Sequence, residues 1–126
     1  MRPVRLVVTD VDGVLTDGRI GFTSDGAEIK YFHCRDGAGF SLWRRYGGLS
    51  AFLTGRGSSI LMRRAQELQI SKLVMNAHDK LPELHKICAE LGVALSETAY
   101  LGDDWPDLAC LRAAGLGVAV ADAAAP

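Results

Sequence analysis

The chain has 126 residues, 48% of them hydrophobic and 23% charged, with a formal net charge of −1. That is the make-up of one folded domain, and it excludes a disordered or fibrous chain and the basic footprint of a nucleic-acid binder. The apolar runs are too short to span a membrane, and the start from Met1 to Arg5 leads into too short and acidic a stretch for a secretory leader, so a cytoplasmic protein is expected.

Leu6 to Thr9 is a β-branched run that reads as a buried parallel strand ending at Asp10. Asp12-Gly13 breaks it. Two runs, Arg19 to Thr23 and Ala27 to Phe32, flank Ser24-Asp25-Gly26 and predict a small hairpin over about residues 18–33. Asp36 is placed to cap a helix through Tyr46, closed by Gly47-Gly48. Leu49 to Thr54 is a strand. Ser58 or Ser59 can cap a helix to Gln69, with Ile60, Leu61, Ala65 and Leu68 inward. Leu73 to Met75 is a strand, and Leu81 to Leu91 a helix with Pro82 in its first turn and Gly92 beyond its end. Thr98 to Leu101 is a strand, Pro106 to Ala114 a helix closed by Gly115, and Val118 to Val120 a last strand. The alanine-rich end, Ala121 to Pro126, is too short for another element. This alternation predicts an α/β fold, a doubly wound, Rossmann-like parallel sheet of about five strands, with a hairpin flap after strand one. No repeat, linker or inserted cap domain is visible, so residues 1–126 are expected to form a single domain.

Ligands of an open parallel sheet bind beyond the carboxyl ends of its strands. Strand one ends in Asp10-Val11-Asp12, and strand two in Thr54-Gly55-Arg56. Strand three leads through His78 and Asp79 to Lys80, and strand four ends in Gly102-Asp103-Asp104, with Asp107 one turn on. Crowded carboxylates resist joint ionisation unless a hard cation sits among them, and all-oxygen ligands favour Mg²⁺. Such an ion neutralises phosphate oxygens, while Lys80 and Thr54 supply a charge and a hydroxyl. One carboxylate can act as a nucleophile, forming an aspartyl-phosphate, and a second can hand a proton to the leaving alcohol. This is a phosphoryl-transfer site without a glycine-rich phosphate loop.

Asp10-Val11-Asp12-Gly13-Val14 resembles the first motif of the haloacid dehalogenase superfamily of phosphohydrolases. Thr54, Lys80 and the run Gly102 to Asp107 resemble its second, third and fourth motifs, in order. The string Asp10 to Gly18, with Arg35-Asp36-Gly37-Ala38-Gly39 after the hairpin and Gly117 to Ala123 near the end, is similar to the 3-deoxy-D-manno-octulosonate (KDO) 8-phosphate phosphatases. The resemblance covers essentially the whole chain. It implies that Asp10 is the nucleophile and Asp12 the general acid/base. It also implies that Asp10, Asp103 and the backbone carbonyl of Asp12 hold Mg²⁺. Asp107 would support Lys80 or metal-bound water, with Asp104 beside it. Thr54 and the Gly55 amide would bind phosphate, and Arg56 would face the substrate. The implied assembly is a homotetramer in which a neighbouring subunit closes the site. Asn76 stands where the family usually carries glycine, and asparagine tolerates the same left-handed backbone. Family members continue past the position matching Pro126 with a tail that reaches toward a neighbour's site. A phosphatase-like domain of impaired activity is therefore one alternative, and a sialic acid or KDN 9-phosphate phosphatase another.

Blander readings stand beside these. Asp10 and Asp12 can be a turn pair, Lys80 a solvated lysine, and Asp104 and Asp107 acids that favour a helix dipole. His33, His78 and His85 lack metal-ligand spacing. Cys34 has no activating partner, and Cys88 and Cys110 fall on core-facing helix positions. A signalling receiver domain shares the length and the sheet. It keeps its phospho-acceptor aspartate at a mid-chain strand end, however, where this sequence has Thr54.

Overall fold

The structure, a computed structural model, describes residues 3–120. The expectations for the first two residues and for residues 121–126 lie outside them. β1 (Leu6–Thr9) is the middle of a five-stranded sheet. β4 (Leu49–Leu53) and β5 (Lys72–Val74) extend it on one side, and β6 (Thr98–Gly102) and β7 (Leu116–Ala119) on the other. Every pairing in it is parallel, with Leu6 opposite both Leu49 and Thr98. The expected parallel α/β sheet is therefore present, with no cap domain among the described residues. β1 lies where the strand order reverses, and its carboxyl end opens into the crevice that such a reversal creates.

Alternation decides the two faces. Leu6 and Val8 of β1 and Ala51 and Leu53 of β4 pack against α3 (Lys80–Leu91) and α4 (Leu108–Ala113), through Leu84, Ile87, Cys88 and Cys110. On the other face Phe52 packs with Leu61, Ala65 and Leu68 around α2 (Ser59–Glu67). Phe40 of α1 (Cys34–Arg45) meets the Phe52 ring edge-on at 5.6 Å. Cys88 and Cys110 are buried, as their sequence positions suggest, and Cys34 is exposed. No helix among the described residues is long and apolar enough to cross a membrane.

The differences from expectation are local. The α1 N-cap is His33, whose ring nitrogen accepts from the Arg35 N–H, and Asp36 lies inside the first turn. Helix α4 is preceded by a 3₁₀ turn, Trp105–Asp107, capped by Asp104 and with Pro106 in its first turn, where no backbone N–H is needed. The hairpin pairs only β2 (Gly21–Phe22) with β3 (Glu28–Ile29), antiparallel. Asn76 has φ 58°, in the left-handed region.

Candidate active site

The turn after β1 is pinned from below. Val11 and Leu15 are buried in the α1/α2 face, and the Leu15 N–H donates to the Val11 carbonyl at 2.8 Å. With Val11 pointing into the core, its neighbours Asp10 and Asp12 turn toward the carboxyl edge of the sheet. Asp10 also stays in the ladder, its N–H donating to Leu101 at 2.9 Å. Its carboxylate is 7% exposed as part of the residue and receives the Lys80 ammonium at 2.9 Å. Lys80 also donates to Asp107 at 2.7 Å, and the Tyr100 hydroxyl donates to the same Asp107 oxygen at 2.5 Å. The other Asp107 oxygen accepts the Asp103 N–H at 3.1 Å. Asp107 is thus engaged by three donors, and its role here is to hold Lys80 and the Asp103 turn.

Asp103 reaches the cluster because two glycines make room. A Cβ on Gly13 would lie 1.7 Å from Asp103 Oδ2, and one on Gly102 2.5 Å from the Asp107 Cβ. Gly13 also has φ +88°, a left-handed value that side chains disfavour. Oxygens of Asp10, Asp103 and Asp107 lie within 4.8 Å of one another. Burial raises the Asp10 pKa from the usual 3.8 to about 7; Lys80 opposes this and Asp107 adds to it. Asp103 is raised as well, by burial first and then by the Asp107 and Asp104 charges. Burial works against the Lys80 ammonium, but Asp10 and Asp107 outweigh it and its pKa stands above the usual value. A carboxylate pair that resists ionisation beside an open cleft suits a divalent cation. With Asp107 spoken for, Asp10 and Asp103 are the side chains left to hold one. Their hard oxygen donors fit Mg²⁺.

All nine residues singled out from the sequence line one cleft of about 450 Å³: Asp10, Asp12, Thr54, Gly55, Arg56, Lys80, Asp103, Asp104 and Asp107. Their contacts separate them. The buried Thr54 hydroxyl accepts the Arg56 N–H at 3.2 Å and keeps its own proton to donate. Arg56 turns its guanidinium to the hairpin, donating to Glu28 at 2.9 Å. Asp104 is exposed and caps the 3₁₀ turn through the Trp105 N–H at 2.7 Å. The Asp12 carboxylate stands apart from the carboxylate cluster. It accepts from Lys30 Nζ at 2.5 Å. The resemblance assigns a metal bond to the Asp12 main-chain carbonyl and not to this carboxylate. His78 lines the cleft as well.

Sequence reasoning missed Lys30, Glu28 and Tyr100. Glu28 and Lys30 are two apart in a strand-like run, hence on one face of the hairpin, and that spacing was readable. Tyr100 is fully buried in β6, where a phenol needs a partner for its hydroxyl.

The family model for haloacid dehalogenase-like hydrolases matches residues 54–126. A 3-deoxy-D-manno-octulosonate 8-phosphate phosphatase of Haemophilus influenzae is 41% identical over 120 residues, covering 95% of this chain and 67% of its own. Its Yersinia pestis counterpart is 40% identical over 95% of this chain and 64% of its own length. Among solved structures, that of the Moraxella catarrhalis phosphatase with magnesium, phosphate and KDO superposes with a TM-score of 0.93. It is 42% identical and covered to 70%, against 96% of this chain. The chain belongs to the haloacid dehalogenase-like hydrolases, on a family match over more than half its length and a 41% identical relative. It spans about two thirds of the length of the curated relatives it matches.

Proposed function

We propose that this chain is a Mg²⁺-dependent phosphomonoester hydrolase, a phosphatase acting on KDO 8-phosphate. The observation that carries the reading is the convergence of Asp10, Thr54, Lys80 and Asp103, from four separate segments, on one cleft. An Asp10 oxygen attacks phosphorus and the ester oxygen leaves with a proton from Asp12, giving an aspartyl-phosphate and the free alcohol. Asp12 then takes a proton from water, whose oxygen displaces Asp10 from phosphorus and releases phosphate. The Thr54 hydroxyl and the Gly55 amide hold phosphate oxygens. Lys80 supplies positive charge beside Asp10 and is itself held by Asp107. Asp10, Asp103 and the Asp12 carbonyl would hold Mg²⁺, which when bound neutralises charge on the transferring group.

The substrate reading is supported by the relatives of Haemophilus influenzae and Yersinia pestis, both KDO 8-phosphate phosphatases, and by the neighbour that contains magnesium, phosphate and KDO. We read residues 1–126 as one domain working as a homotetramer in the cytoplasm. The hairpin supports the assembly: Phe22 is 61% and Tyr31 75% exposed, more apolar surface than so small a ribbon keeps in water. A phosphate-release screen over sugar-acid phosphates, with and without Mg²⁺, tests the reading. KDO 8-phosphate should lead, and EDTA should abolish release. Full activity in EDTA, or no release from any phosphomonoester, would overturn it.

A further inference from the structure

We propose that Lys30 is a positioning residue for Asp12, an inference that rests on the phosphatase reading above. Lys30 follows β3 in the hairpin, yet its side chain is only 5% exposed. Burying a lysine immobilises four methylenes and removes an ammonium from water, so it occurs where the charge is paired. Its partner is Asp12 Oδ1, at 2.5 Å. The second partner is Glu28 Oε1, at 3.8 Å, and the other Glu28 oxygen takes the Arg56 guanidinium at 2.9 Å. The charges run Asp12, Lys30, Glu28, Arg56. This chain ties one face of the hairpin to the turn after β1 and to the turn after β4, where Thr54 sits. The hairpin's apolar side chains Ile20, Phe22 and Tyr31 remain exposed, so the inward turn of Glu28 and Lys30 is not explained by burial of the ribbon itself.

The consequence lies in which oxygen is engaged. Lys30 bonds Oδ1, and Asp12 Oδ2 accepts no hydrogen bond from the described residues. A carboxyl held by one oxygen keeps the other free for proton traffic, with rotation about its last bond suppressed. In the first half-reaction the Oδ2 proton passes to the ester oxygen as the P–O bond breaks and the bond from Asp10 to phosphorus forms. In the second, Oδ2 takes a proton from the attacking water as the Asp10–phosphorus bond breaks. Ester and water become alcohol and phosphate, and Asp12 ends as it began. Without Lys30, Asp12 keeps its chemistry but loses its aim, and a small misplacement at a reacting centre is costly.

The test compares leaving groups. KDO 8-phosphate releases a primary alcohol that needs the proton, whereas 4-nitrophenyl phosphate releases a phenolate that leaves without it. kcat/KM reports steps up to loss of the leaving group, so slow hydrolysis of the aspartyl-phosphate does not mask the comparison. Lys30→Met should lower kcat/KM for the alkyl ester roughly tenfold to a hundredfold. The aryl ester should change less than about threefold, and Lys30→Arg should recover most of the loss. Lys30→Gln replaces Lys30→Met if thermal melting shows that the latter does not fold. Equal losses on the two esters, or none on either, overturn the proposal and leave the phosphatase reading standing. A wild-type protein that hydrolyses only the aryl ester also overturns it, since no leaving group then needs Asp12. A wild-type protein that hydrolyses neither ester overturns both readings.

Discussion

Lys80 Nζ lies 2.9 Å from Asp10 Oδ1, although seventy residues separate them in the chain. The contact joins the end of the central strand to the first turn of α3, and both side chains are buried. Lys80 also bonds Asp107, so one cation serves two buried carboxylates. Lys80→Met removes it and leaves both facing each other in a dry site. Breaking a buried ion pair in this way costs about 3–5 kcal/mol. The lower half of that range is expected, because Asp10 can take up a proton near neutrality. Urea unfolding of wild type and variant measures the difference, and a change under about 0.5 kcal/mol would show that the lysine is not needed to hold the carboxylates together.

The raised Asp10 pKa sets a pH dependence for the metal-free protein. The folded value, about 7, lies above the unfolded 3.8, so the folded state holds the proton more tightly. The stability this contributes is fully present below pH 3.8 and is lost as pH rises through 7. Compared with Asp10→Asn, which cannot titrate, wild-type protein in EDTA should therefore lose melting temperature between about pH 4 and pH 7. Mg²⁺ binds the ionised form and must displace the proton. Its apparent affinity should fall by up to about tenfold for each pH unit below 7, and its thermal stabilisation should be larger at pH 8 than at pH 6. Equal stabilisation at both pH values would place the ion elsewhere. The same Asp10→Asn variant should lose phosphate release by several orders of magnitude.

Gly13 carries a separate prediction. Gly13→Ala puts a methyl where Asp103 Oδ2 now stands, 1.7 Å away, on a backbone with φ +88°. The left-handed backbone costs about 1–2 kcal/mol, and Asp103 must also move. Mg²⁺ affinity, read by titration calorimetry, should fall at least tenfold while the sheet is kept. Unchanged Mg²⁺ binding would remove Asp103 from the set of ligands.

What the sequence made legible follows from chemistry that repeats along it. Strand ends announce themselves where short apolar runs meet Asp or Thr, so Asp10, Thr54 and Asp103 are found by position as well as by type. Asp36 misled because an acid favours a helix start both as a cap and within the first turn. The structure gives the cap to His33. The sequence pattern starts the last strand at Val118, but β7 begins at Leu116, since a short run containing glycine gives no clear boundary. Glu28 and Lys30 were missed for a different reason. Alternation marks them as the polar face of a ribbon, which is usually the solvated face. Only the fold reveals that this face looks onto Asp12 and Arg56.

The hairpin's exposed apolar side chains set the last prediction. Ile20, Phe22 and Tyr31 stand in solvent on a ribbon with only two paired residues in each strand, which is marginal on its own. Glu28 and Lys30 are tied by ion pairs to Arg56 and Asp12, which fixes the ribbon in place with these apolar side chains in solvent. Pairing ribbons from several copies around an axis would bury them. Closed symmetric assemblies are the usual outcome for such self-complementary patches. The family resemblance implies that the closed assembly is a homotetramer, and light scattering at micromolar concentration reads it directly. The double variant Ile20→Asp, Phe22→Lys should dissociate it while Mg²⁺ still binds at Asp10 and Asp103. Because the cleft lies at an open sheet edge, the dissociated variant should also lose turnover, as water gains access to the phosphoryl group. A monodisperse wild-type monomer would refute the assembly. A dissociated variant with undiminished turnover would show instead that each subunit closes its own site.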